Sequence, residues 1–342
     1  MTTKSESGSV REVAKRAGVS TATVSRAFNN PETVAPATLK RVLNIAEGLG
    51  FKPNILGKNL VTGRSHLVGL LVPDIGTTLY GEMVKGIEDE LAGTGLRVLL
   101  ASTRDEPELE LEAVTSLNYH SVDTGIVINS RVNALNTKAG GTAHDSWVHI
   151  SPESLGFSLR VELDNYAGAR LAVRHLVETG RRTIAHLAAP LREGQERERG
   201  WRDELLAWGL EPTLRLQGDY TLGSGVRAAQ RLLKETFDAV FASGDLMAAG
   251  VLQTFQGASV NMPDEVALVG FDDAAYTSLL HPTLTTVRQP AYLMGKKAAE
   301  LALLRLAGET PESVTFSPEL VVRDSTGEKQ AEGQRGRGEG GI

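Results

Sequence analysis

From residue 67 to residue 271 the sequence alternates between short strand-like runs, most of them largely apolar, and stretches of helical periodicity. The runs are Leu67-Val-Gly-Leu-Leu-Val-Pro73, then 96–100, 124–129, 183–188, 213–217, 238–242 and 266–271. Helical sequence covers 78–92, 107–117, 165–179, 197–208, 224–235 and 245–257. Successive side chains of a strand point to opposite faces, so a run apolar at consecutive positions is covered on both sides. Strands of that kind separated by helices build parallel sheets with helices on both faces. The alternation predicts a doubly wound α/β body, and 342 residues are enough for more than one such layer.

The first 60 residues break this pattern. Val10, Val13, Ala14 and Ala17 follow a helical period. Gly18 reaches the left-handed conformation of a helix end without steric cost. Ser20 is a good N-cap for a second helix, with Val24, Ala27 and Phe28 inward and Thr21, Ala22, Ser25, Arg26 and Asn29 outward. A third helix, about 37–49, is expected to bury Leu39, Val42, Leu43 and Ala46 and to stop at Gly48-Leu49-Gly50. Helix pairs joined by a glycine turn also occur without any nucleic-acid role. Here the outward face of the second helix is small and hydrogen-bonding, with one arginine. Its Ser/Thr-rich start is suited to phosphate. The charge agrees: residues 1–60 hold nine Lys/Arg against four acids, or +5, while the whole chain is −6, which leaves −11 for the rest. A basic module on an acidic body suits a phosphate-binding head.

Other classes lack their signatures. With no cysteine, disulfides and thiolate metal sites are excluded, and the histidines show no ligand spacing, so no metal and no cofactor are expected. The N-terminus has no apolar targeting segment, and no run approaches the roughly 20 apolar residues of a membrane span, so a cytoplasmic protein with no membrane partner is expected. Gly223-Ser-Gly-Val-Arg-Ala228 fits part of a dinucleotide fingerprint, but it lies far from the first strand–helix unit, and Ser224 reads as a helix N-cap. No catalytic constellation is legible, so a catalytic site is not expected.

Residues 10–29, Gly50-Phe-Lys-Pro-Asn54 and Gly63-Arg64-Ser65 strongly resemble the lactose/galactose-repressor (LacI/GalR) family. The resemblance continues through Val-Pro-Asp at 72–74, Gly86-Ile-Glu-Asp89, Asp164-Asn165-Tyr-Ala-Gly168, Gly270-Phe-Asp-Asp273 and Pro282-Thr-Leu-Thr-Thr-Val-Arg-Gln-Pro290. It implies a three-helix helix-turn-helix head at 10–52 after a disordered 1–9, and a hinge helix or linker at 53–65. It further implies a body at 66–324 like periplasmic sugar-binding proteins, and the Gly/Glu/Arg-rich composition of 325–342 predicts a disordered tail. Subdomain 1 is placed at about 66–162 and 291–316, and subdomain 2 at about 165–288 and 318–324. The crossovers are expected near 162–165, 288–291 and 316–322.

The same resemblance assigns roles. Thr21, Ala22 and Arg26 match base readers, arginine being suited to bidentate contact with guanine. Ser20, Thr23, Ser25 and Asn29 match backbone-contact positions. Asn54, Lys58 and Leu60 belong to the hinge, with Leu60 as a minor-groove wedge. Gly57-Lys58-Asn59 departs from the usual Ala-Arg-Ser-like run, and glycine costs roughly 0.8–1 kcal/mol against alanine in a helix. Partners are then a double-stranded operator, a second copy of the chain and a small-molecule effector, most simply a sugar. Helices 78–92 and 246–256 are the expected dimer surfaces.

Ligands of open α/β sheets bind at the carboxyl ends of strands. Candidates are therefore Asp74 to Tyr80, with Thr77 and Tyr80 foremost, Arg104-Asp105, Asn129-Ser130-Arg131, Arg197, Trp201, Gly244-Asp245 and Asp272. The resemblance singles out Arg197 and Asp272 as effector contacts. A solvated helix face for Arg197 and a simple helix cap for Asp272-Asp273 are the plainer alternatives. Thr77-Thr78-Leu79-Tyr80 replaces a family run richer in aromatics, His149-Ile150-Ser151-Pro152 replaces Val-Asp-Arg, and Gly244 replaces asparagine. Two other classes stay open on the body alone: a periplasmic-type binding protein and an enzyme on a doubly wound fold.

Overall fold

The computed structural model describes residues 9–51, 64–119, 122–130, 147–150 and 159–327. The hinge candidates Asn54, Gly57, Lys58 and Leu60 lie outside the described residues, as do Arg131 and Ser151-Pro152. The chain divides into two units, Met1–Ser65 and His66–Ile342.

In the first unit, α1 is Val10–Ala17, α2 is Thr21–Asn29 and α3 is Pro36–Gly48. Ser9 caps α1 by accepting from the Glu12 amide. Gly18 ends α1 at φ 64°, a conformation that turns the chain sharply toward α2. Val13, Ala14, Ala17, Val24, Ala27, Val42 and Ala46 form the buried core. Phe28 and Phe51 close it edge to face at 5.7 Å. Leu43 is not buried as expected but 40% exposed. The inward stripe of α3 runs through Leu39, Val42, Ala46 and Leu49, and Leu43 falls on its flank.

The second unit carries two six-stranded sheets. The first contains β1 (Leu67–Val72), β2 (Arg97–Ser102), β3 (Thr124–Ile128), β4 (Val148–Ile150), β5 (Arg160–Leu163) and β11 (Val314–Phe316). The second contains β6 (Ile184–Ala188), β7 (Arg215–Gln217), β8 (Ala239–Ala242), β9 (Ala267–Asp272), β10 (Thr285–Arg288) and β12 (Glu319–Val321). The orders are β11-β5-β4-β3-β1-β2 and β12-β10-β9-β8-β6-β7, parallel except that β12 runs antiparallel to β10. The helices are α4 (Thr78–Leu91), α5 (Pro107–Tyr119), α6 (Asn165–Glu178), α7 (Leu191–Ala207), α8 (Leu222–Leu232), α9 (Asp245–Gly257) and α10 (Ala291–Leu306). The doubly wound expectation is met, because every residue of β3, β4, β6 and β8 is buried.

The chain passes between the sheets after β5, after β10 and between β11 and β12. The helix α7 starts at Leu191, six residues before the expected start, because no capping side chain marks its beginning after Pro190. Beyond the alternation read from the sequence lie β4, β5, β10 and α10. The expected tail is also shortened. Ser325 and Thr326 are buried, with Ser325 bonded to Leu268 O at 2.6 Å and Thr326 to His175 at 2.8 Å. No helix of the described residues is long and apolar enough to cross a membrane.

Candidate functional site

Two surfaces carry chemistry, one on each unit. On the first, Ser20 accepts from the Thr23 amide at 3.1 Å, and the two hydroxyls pair at 2.9 Å. This fixes the start of α2 and leaves its first amides at the surface, where anions are favoured. Thr21, Ala22, Ser25, Arg26 and Asn29 are exposed, with Asn29 donating to Ser25 at 3.2 Å. The Arg26 guanidinium has neither a hydrogen-bond nor an ion-pair partner among the described residues. Its five guanidinium donors therefore face outward from a helix narrow enough for a major groove.

The second surface is a crevice of about 700 Å³ between the two sheets of the body. It lies outside the carboxyl ends of the strands, where each sheet reverses its winding, at β1/β3 and β6/β8. Loops after β1, β2 and β3 bring Asp74, Thr77, Tyr80, Arg104, Asp105 and Asn129. The other half brings Glu193, Arg197, Tyr220, Gly244, Asp272 and Tyr276. The backbone is bent to do this. Arg104, Asp105, Asn129, Leu191, Tyr220 and Asp272 all line the crevice with φ between 46° and 126°. They are six of the nine non-glycine residues with positive φ among the described residues. Such conformations cost of order 1–3 kcal/mol each and persist where surrounding structure imposes them, as at ligand sites.

Arg197 is the centre of the crevice's polar wiring. It is only 3% exposed, which removes the solvated-face alternative. Its Nε donates to Asn165 Oδ1 at 2.8 Å and one terminal nitrogen donates to Ser243 O at 2.6 Å. The guanidinium lies 3.6 Å from the Phe271 ring centre and 3.7 Å from an Asp272 carboxylate oxygen. Asp272 also accepts from Gln289 Nε2 at 2.5 Å. Asn165 opens α6 just after β5, and Gln289 directly follows β10, so both crevice charges are tied to residues where the chain passes between sheets. Burial raises the Asp272 pKa, although the Arg197 charge pulls it the other way. The adjacent Asp273 faces elsewhere, to Arg288 at 2.7 Å and Arg323 at 2.6 Å. Burial works against its charge, but those two guanidiniums prevail and hold its pKa below the usual carboxylate range. Neither aspartate is a simple helix cap.

Thr77, Tyr80, Arg104, Arg197 and Asp272 line the crevice, whereas two other candidates do not. Trp201 is 2% exposed and belongs to the core. Its indole donates to Ile184 O at 3.1 Å and stacks on His186 at 5.1 Å. Four residues after Arg197 is one turn further along α7, about 6 Å, and that turn carries the side chain from the carboxyl ends of the strands down to the first residue of β6. Asp245 is fully buried beneath the crevice floor, accepting from Thr286 at 2.6 Å and the Ala274 amide at 2.9 Å. Burial, then the Asp272 charge, pushes its pKa well above the usual range. It clamps the loop that follows Asp272 and is not itself part of the crevice lining.

Sequence reasoning missed Glu193, Tyr220, Tyr276 and Gln289. Tyr80, Tyr220 and Tyr276 provide aromatic surface in place of the absent phenylalanines. Asn129 donates to the Tyr80 hydroxyl at 3.1 Å. Burial, then the Glu193 charge, raises the pKa of both Tyr80 and Tyr220, so each keeps its proton. Of the two fingerprint-like glycines, Gly225 has a packing role instead. A Cβ on Gly225 would meet Met247 O at 2.1 Å, so glycine lets α8 lie against α9. The N-cap there is Thr221, not Ser224, accepting from the Ser224 amide at 3.1 Å.

Both units resemble known proteins. Residues 9–54 match bacterial regulatory proteins of the lacI family, and residues 173–326 match a periplasmic binding protein-like domain. The HTH-type transcriptional regulator CelR of Thermobifida fusca is 34% identical, over 92% of this chain and 96% of its own. A solved CelR–cellobiose complex superposes with a TM-score of 0.71 at 32% identity, covering 93% of this chain and 99% of that one. The lac repressor dimer bound to operator and the anti-inducer ONPF superposes with a TM-score of 0.86 at 25% identity, covering 94% and 100%. With a helix-turn-helix head, a two-sheet body and relatives matched along nearly their whole length, the chain belongs to the LacI family of bacterial regulatory proteins.

Proposed function

We propose that this DNA-binding transcriptional regulator is a cytoplasmic, homodimeric repressor without enzymatic activity, whose operator affinity is set by a sugar-type effector in the crevice. The observation that carries the reading is the pairing of an outward Arg26 guanidinium on α2, with no partner among the described residues, with a ligand-sized crevice in the same chain. Thr21, Ala22 and Arg26 read bases in a major groove. Ser20, Thr23, Ser25 and Asn29 set register on phosphates. Asn54, Lys58 and Leu60 act from the hinge. Two-fold protein symmetry asks for a pseudopalindromic operator. The lac repressor is a dimer on operator in its solved structure, and CelR is solved with cellobiose.

Effector control requires differential affinity for two arrangements of the body. Arg197 and Asp272 suit this, because a ligand that bonds them pulls on Asn165 and Gln289 beside the crossovers. The test is a gel shift with DNA upstream of the protein's own gene. Wild type is expected to bind one site specifically, and Arg26→Ala to lose that preference. Undiminished specific binding by Arg26→Ala overturns the assignment of the reading helix.

A further inference from the structure

We propose that Tyr220, seated on Gly244, selects the ligand: its hydroxyl donates to one oxygen of a polyhydroxyl ring while a nearby hydroxyl of the same ring donates to Asp272. This rests on the crevice being the effector site. Tyr220, Gly244 and Asp272 all line the crevice. The Tyr220 hydroxyl is buried and has no hydrogen-bond partner among the described residues. A buried donor left unmade is a cost to the fold, and in a ligand crevice it points to a ligand oxygen.

The place of the ring is set by what residue 244 lacks. A Cβ on Gly244 would lie 3.2 Å from Tyr220 Cδ1 and 3.7 Å from Cε1, so a side chain there would press on the ring. Gly244 has a φ of −175°, ordinary extended backbone, so it is space and not backbone conformation that calls for glycine. The same Cβ would lie 3.7 Å from Asp272 Oδ2. One point thus borders both the phenol ring and the carboxylate, and the two share a small stretch of wall. Hydroxyls close together on a sugar ring suit such a pair, one oxygen accepting from the phenol and another donating to the carboxylate.

The loop holds Tyr220 in place at a cost. Its φ is 65°, in the left-handed region that residues with a side chain seldom adopt. The residues on either side are pinned. Asp219 accepts from the Thr221 amide at 3.0 Å and from the Thr221 hydroxyl, and its own amide donates to Ser224 Oγ at 3.2 Å. A strained backbone, a ring that excludes any side chain beneath it and an unmade hydroxyl bond bring no bond within the chain. An oxygen entering the crevice supplies one, which is the setting in which such strain persists.

The test uses the full chain in thermal shift against neutral mono- and disaccharides, with calorimetry on any hit, for wild type, Tyr220→Phe and Gly244→Ala. Without sugar, Tyr220→Phe is expected to unfold at a midpoint no lower than wild type, since the hydroxyl it removes bonds nothing in the chain. The hit is expected to bind Tyr220→Phe about tenfold and Gly244→Ala about threefold more weakly than wild type. Among singly deoxygenated forms of the hit, one is expected to bind wild type about tenfold more weakly than the parent sugar, yet Tyr220→Phe as well as the parent does. Full affinity in Tyr220→Phe, or a lowered midpoint without sugar, overturns the proposal while the effector site stands. Deoxygenated forms that weaken both proteins equally refute the phenol-to-oxygen bond, and unchanged binding by Gly244→Ala refutes the seat. No stabilisation of wild type by any sugar sinks the sugar-effector reading and takes this inference with it.

Discussion

Arg26 and Arg197 are the same side chain put to opposite uses. Arg26 stands on the open face of α2, its guanidinium with no partner among the described residues, and the head is complete without it. Arg197 is buried and bonded to a side-chain amide, a backbone carbonyl, an aromatic face and a carboxylate. One guanidinium is a spare donor set at the surface. The other is woven into the lining of the crevice. An arginine on a surface helix is therefore separable from stability, whereas one wired into a crevice is not.

Substitution tests that separation most directly at Arg197. Arg197→Ala leaves Asp272 without its compensating charge and orphans Asn165 and Ser243 O, so a loss of about 3–5 kcal/mol is expected in denaturant unfolding. Lysine is expected to recover little of it, since it has no planar fork. The loss should shrink as pH falls, because Asp272 can then take a proton. A stability change under about 1 kcal/mol would show that the contacts around Arg197 are not coupled as described.

The next contrast is in pH. The head has no histidine, whereas the body buries His186 against Trp201 and Phe241. Burial pushes His186 down to about 4 from 6.5. The unfolded chain therefore takes a proton more readily, and this contribution is full above pH 6.5 and is lost as pH falls toward 4. It amounts to up to about 3 kcal/mol. Asp245 and Asp272, raised by burial, titrate with the opposite sign, so the comparison of wild type with His186→Gln isolates the imidazole. The variant should show a shallower loss of stability over that range, and parallel curves would refute the assignment.

Arg26→Ala is the converse of Arg197→Ala. Its stability is expected to stay within about 0.5 kcal/mol of wild type, as for an unpartnered surface residue. Discrimination at one operator position should fall by about 1–3 kcal/mol, measured by competition between matched and mismatched sites. A substantial drop in unfolding stability would break the separation between reader and scaffold. The smallest effect belongs to the frame of α2. Ser20→Ala removes the hydroxyl that caps the Thr23 amide and should cost the head about 1 kcal/mol, read as helix content against temperature.

Local chemistry made the head legible. Gly18, Ser20 and the outward set from Thr21 to Asn29 act within a few residues of themselves, and the structure places them as their types suggest. Leu43 departs because a side chain at the edge of a helical stripe is buried or exposed according to a neighbour, which periodicity does not name. The crevice was legible only as a set of loops. Trp201 and Asp245 read as ligand contacts because each follows a strand end or shares a helix face with Arg197. Their true partners are Ile184, Thr286 and the Ala274 amide. Glu193 was hidden because α7 begins without a capping signal, and Tyr220 because its left-handed φ of 65° is imposed from outside.

The sequence by itself determined the helix-turn-helix, the two doubly wound sheets and the family, since these follow from caps, from apolar runs and from motif order along one chain. Tertiary structure alone decided which side of each strand-end loop faces the crevice, which of two neighbouring carboxylates meets the ligand space, and which polar groups are already paired. The reason is physical. Those outcomes depend on left-handed backbone at the strand ends and on hydrogen bonds between residues far apart in the chain, such as Arg197 to Asn165 and Asp272 to Gln289, and these exist only once both sheets have formed.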